Sequence, residues 1–118
     1  PNTKVDIAGD IALRAGAFTA VNGNNNNINI GGTSFIRITG PTAAFTITGI
    51  SGGVNGNVVI LYNAATYNMT VANENTNSTA TNRITTLTGS GVVTTGVGAI
   101  TLIYDSTASR WIVTSARL

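Results

Sequence analysis

Alternation of apolar and polar positions is clearest from Gly98 to Thr114. Ile100, Leu102 and Tyr104 alternate with Thr101, Ile103 and Asp105, Ser106 to Ser109 is small and turn-tolerant, and Arg110 to Thr114 returns with β-formers. This predicts a β-hairpin with Trp111, the single tryptophan, on its return strand. The same reading predicts strands over 4–7, 11–14, 18–21, 27–30, 35–39 and 44–50, then over 57–63, 67–72, 83–87, 99–105 and 110–115. Helical periodicity is nearly absent, and the best helix candidate, 10–17, is short. Many short strands, frequent turn signals and no room for crossover helices predict an all-β chain. The expected architecture is an antiparallel β-sandwich or jelly-roll-like module.

The first thirty residues are broken by Gly9, Gly16 and Gly23 and carry few large apolar side chains. They are expected to form an extended lead-in over 1–30, ahead of a sandwich domain over 31–118. The lead-in is either a flexible segment or one that becomes ordered by pairing with neighbouring copies of the chain. The Asn24 to Asn27 run reads as a turn tip, because Asn tolerates left-handed backbone angles. A weak repeat sets Gly56-Asn-Val-Val-Ile-Leu-Tyr-Asn63 beside Gly98-Ala-Ile-Thr-Leu-Ile-Tyr-Asp105, with Met69 and Trp111 in equivalent places. It predicts two similar hairpins.

Composition narrows the function classes. Only 8% of the 118 residues are charged, so solubility rests on Thr, Asn, Ser and Gly, a surface that suits a durable extracellular protein. The net charge of +2 comes from cations scattered between Lys4 and Arg117, which does not make a nucleic-acid footprint. No apolar run is long enough for a transmembrane helix, so no membrane insertion is expected. The sequence starts at Pro1 without an initiator Met, and a piece of a longer chain is the expectation.

Candidate chemistry is sparse. Without His or Cys there is no Ser-His-Asp or Cys-His site and none of the usual zinc sites, and neither a metal nor a cofactor is expected. The acids Asp6, Asp10, Glu74 and Asp105 fall on separate predicted elements; turn-capping suits Asp6 and Asp10, and Asp105 could face Arg110 across the hairpin turn. Gly52-Gly53-Val-Asn-Gly56 precedes a strand rather than opening a helix, so it reads as a turn and not a phosphate cradle. Tyr62, Tyr67 and Trp111, with Tyr104 beside them, are the candidate ligand-binding residues, as a sugar-stacking platform. Aromatics on amphipathic strands more commonly fill cores or subunit interfaces.

Two stretches carry a resemblance. The opening Pro1-Asn-Thr-Lys-Val-Asp-Ile-Ala-Gly-Asp-Ile-Ala-Leu-Arg14 resembles a phrase of phage tail-fibre proteins and tail-fibre-like bacterial surface proteins. The segment from Ile50 to Val113 is similar to the small β-sandwich modules near fibre ends in the same proteins, through Gly52-Gly53-Val-Asn-Gly56, Arg83-Ile84, Thr88-Gly89 and the 102–111 hairpin. Together they cover well over half the chain. The resemblance implies a homotrimeric, non-enzymatic fibre-tip or fibre-connector module, on a virion tail fibre or a cell surface, that attaches to a receptor glycan or protein. A carbohydrate-binding, lectin-like module is the alternative.

Overall fold

The computed structural model describes residues 4–118. Short β-branched runs form ten strands: β1 (Ala15–Thr19), β2 (Gly23–Asn25), β3 (Phe35–Thr39), β4 (Phe45–Ile47), β5 (Val58–Asn63), β6 (Met69–Val71), β7 (Ile84–Thr85), β8 (Val92–Thr94), β9 (Gly98–Asp105) and β10 (Arg110–Arg117). A 3₁₀ turn at Ala80–Asn82 is the one helical element among the described residues. Residues 10–17 form no helix, and their second half opens β1.

The fold is all-β. The chain winds back and forth between a six-stranded sheet, ordered β1-β3-β5-β9-β10-β7, and a four-stranded sheet, ordered β2-β4-β6-β8. In the first sheet Ala15 lies beside Phe35 and Phe35 beside Ile60; in the second Gly23 lies beside Phe45 and Phe45 beside Met69, every one of these pairings parallel. Successive coils therefore stack as in a solenoid. Antiparallel pairing begins only afterwards, where β8 joins β6 and β9 returns on β5, with β10 folding back on β9. β7 then lies parallel to β10 at the edge of the sheet.

The expectation of antiparallel pairing throughout is thus corrected for β1 to β6. Parallel neighbours need a crossover, and the expectation admitted only a helix for that task. Here the crossover is a strand of the opposite sheet, which needs no helical segment.

One core lies between the sheets. In β3 the alternation buries Ile36 and Ile38 and turns Phe35, Arg37 and Thr39 outward. Val59, Leu61, Ile100, Leu102 and Trp111 bury from the same sheet, facing Phe45, Ile47, Met69 and Val71. Fully burying each of these large side chains contributes about 1.5–3 kcal/mol.

Two buried asparagines hold corners of the winding. Asn25 Nδ2 donates to the carbonyls of Val21, Gly23 and Thr46 at 3.0, 3.1 and 3.2 Å, while its Oδ1 accepts the Val21 amide at 2.9 Å. Asn63 Nδ2 donates to Tyr67 O at 2.8 Å and Gly96 O at 2.9 Å, and Oδ1 accepts the Ala65 amide at 3.0 Å. The 24–27 run is therefore a turn only in part: Asn24 and Asn25 lie in β2, whereas Asn27 takes the left-handed angle expected of it, with φ of 46°.

Two further expectations change. The first thirty residues are not all lead-in, because β1 and β2 pair with β3 and β4, and Ala20 and Ile28 are buried in the common core. Their large apolar side chains are few, but Phe18, Ile28 and Ile30 pack in or against the core and the next coil supplies the rest of the contact. Nor does the weak repeat give two hairpins. After β5 the chain turns at Asn63 and crosses to β6 in the other sheet, whereas β9 and β10 stay adjacent in one sheet. Pro1 to Thr3, the start of the fibre-like phrase, lie outside the described residues.

Candidate functional site

A half-open cleft of about 300 Å³ lies beside the core, lined by Asn29, Ile30, Gly32 and Thr33 before β3, Ser51 and Gly52 after β4, Asn57 before β5, and Trp111 on β10. Successive coils bring these loops together, since the backbone of Ile28 bridges to that of Ile50. Gly31, Gly32 and Gly52 take φ of 64°, 69° and 78°, angles that let the chain double back at the mouth. The walls are internally braced. Asn29 Oδ1 accepts the Gly31 amide at 2.9 Å, Thr33 Oγ1 donates to Ile30 O at 2.6 Å, and Ser51 Oγ donates to Ile28 O at 3.1 Å. No charged side chain lines the cleft, so its chemistry is that of neutral amides and hydroxyls.

The aromatic candidates do not converge. Trp111 is 1% exposed; its Nε1 donates to Ile50 O at 2.9 Å and its ring meets Tyr104 edge-on with centroids 5.1 Å apart. It is a core residue that only grazes the cleft, with no ring face free for stacking. Tyr104 is held as well, its hydroxyl donating to Thr81 O at 2.8 Å. Tyr62 lies on the opposite, outward side of the same sheet, stacked on Phe35 at 6.1 Å with the Arg37 guanidinium 5.6 Å from its ring. Tyr67 is exposed in the loop between β5 and β6.

The Phe35–Arg37–Tyr62 cluster had only a partial signal in the sequence. Alternation puts Phe35 and Arg37 on one side of their strand, but the register that sets Arg37 beside Tyr62 belongs to the pairing of β3 with β5. Asn29, Ser51 and Asn57 had no signal, because nothing in their spacing joins three separate loops.

The acids stay apart from the cleft. Glu74 binds Arg110, with Nε 2.8 and 2.9 Å from its two carboxylate oxygens. Arg110 therefore turns to Glu74 rather than to Asp105, although Asp105 is its neighbour across the hairpin. Asp105 instead accepts the Thr107 amide at 3.0 Å, capping the turn. Among the described residues no three His, Cys, Asp or Glu side chains gather as a metal site, and no helix is long and apolar enough to cross a membrane.

The class these observations define is an all-β protein with solenoid-like stacked coils and a neutral polar cleft at one corner. No protein-family model matches the chain, and no curated protein matches it either.

Proposed function

We propose that this chain is a non-enzymatic structural module of a homotrimeric fibre, a tip or a connector on a virion tail fibre or cell surface, where it contributes to receptor attachment. The observation that supports this reading is the asymmetry of the coil stack. Both strands of the first coil, β1 and β2, are edge strands in line with the parallel winding, whereas at the far end antiparallel β8 and β9 cover the last parallel coil and the edges are the short β7 and β8. A stack open at one end and turned back at the other suits the terminal part of a longer rod, since the ends of repetitive folds need caps. The two stacked sheets take the place of the sandwich module in such fibres. Molar mass by size-exclusion chromatography with light scattering, at micromolar and lower concentrations, tests the reading. A mass near three times 12.0 kDa that persists on dilution is expected, and a monomer overturns it.

A second reading, a carbohydrate-binding module, is favoured by the cleft. Its volume of about 300 Å³ and its uncharged polar lining suit one neutral, polyhydroxylated unit. Trp111 reports on the site, so titration with neutral monosaccharides should give a saturable shift of its emission. An unchanged spectrum, together with no heat of binding by calorimetry, sinks this reading.

A further inference from the structure

We infer that residues 4–14 act between chains, lying along the outer face of the six-stranded sheet of a second copy of this protein. The inference rests on the homotrimer reading above and adds the surfaces through which copies meet.

The segment has the pattern of a strand without a strand's partners. Val5, Ile7, Ile11 and Leu13 occupy alternate positions, with Lys4, Asp6, Asp10 and Arg14 between them, as in a half-buried strand. None of the four is buried by the described residues: Val5 is 71%, Ile11 69%, Ile7 52% and Leu13 48% exposed. Residues 4–13 make no backbone hydrogen bond to any other described residue. Apolar alternation that stays in water over a whole segment marks a surface to be covered from outside the chain.

The same chain carries an apolar face with no cover. On the outward side of the six-stranded sheet Phe35 sits beside Ile60, Val58 beside Ile103, and Ile103 beside Ile112, with Tyr62 next along β5. Phe35, Val58 and Ile103 are more than a third exposed. A strand laid on this face sets apolar side chains against apolar side chains.

The area is sufficient. A segment of about 1.2 kDa exposes about 1,700 Å² when extended, and covering one side of it removes about 800 Å² from water, the share each partner gives to a specific interface. Because the segment of one copy meets a different surface on the next, the contact is heterologous, and repeated around an axis it closes a ring.

The test uses the full chain. The double variant Ile7→Asp, Ile11→Asp changes side chains that the core does not touch, so its far-UV circular dichroism should match that of the unaltered protein and its unfolding should stay a single cooperative transition. Its mass by light scattering should fall to that of one chain while the unaltered protein remains oligomeric. Because the sequence has no cysteine, contact is read directly: Ile11→Cys and Ile103→Cys chains, refolded together and oxidised, should give a disulfide-linked band that neither gives alone. If the double variant keeps the full oligomeric mass, or the mixed disulfide does not form, this docking is wrong while the trimer stands. If the unaltered chain is itself a monomer, both fall.

Discussion

Asn63 shows how one polar side chain can hold a corner of the winding. It is fully buried, and its amide serves two carbonyls and one backbone amide from two separate loops. Truncation in Asn63→Ala leaves Tyr67 O and Gly96 O without that donor, so a loss of about 3 kcal/mol is expected, read as a lowered midpoint in urea. Leu87 presents the reverse case. It holds φ of 65° while its side chain is 70% exposed, so it bears left-handed strain and returns little burial. Leu87→Gly should therefore raise stability by about 0.5 kcal/mol, the relieved strain outweighing the added freedom of the unfolded chain. Gly53 is constrained by space instead, since a Cβ there would run into the Tyr104 ring.

Strands differ in how many neighbours hold them. β5 lies between β3 and β9, and β9 between β5 and β10, whereas β1 and β2 each pair on one side only. Amide exchange by NMR should accordingly be slowest for Leu61, Ile100 and Leu102 and faster by orders of magnitude across β1 and β2. Equal protection in β1 of the oligomer would mean that a partner covers that edge. The existence of most strands was legible in the sequence: β3 matches its expected 35–39 exactly, and β9 and β10 lie within two residues of theirs. The 4–7 and 11–14 stretches carry the same alternation yet form no strand within the chain, because periodicity reports an amphipathic face and not the partner that completes it. β2 and β8 went unread, since each spans three residues, too few to show a period, and the strand expected over 27–30 reduces to a bridge at Ile28.

The whole chain from β1 to β10 shares one core, with Ala20 and Ile28 packed among residues as distant as Trp111 and Val113. Unfolding should then be a single transition, with Trp111 fluorescence and far-UV circular dichroism giving coincident curves in denaturant. An earlier, separate step by circular dichroism would instead favour an independent segment over 1–30. The described residues span 49 × 29 × 24 Å.

Sequence by itself determined that the chain is all-β, where its final hairpin turns, and that acid–base and metal chemistry have few residues to work with. These follow from local properties, namely β-branched composition, two-residue alternation and the absence of His and Cys. Tertiary structure alone decided which strands run parallel, that Trp111 faces the core while Tyr62 faces out, and which loops meet at the cleft. A strand's pattern fixes which side chains share a face. The direction of its neighbour depends on where the intervening chain travels, and here it travels through the opposite sheet.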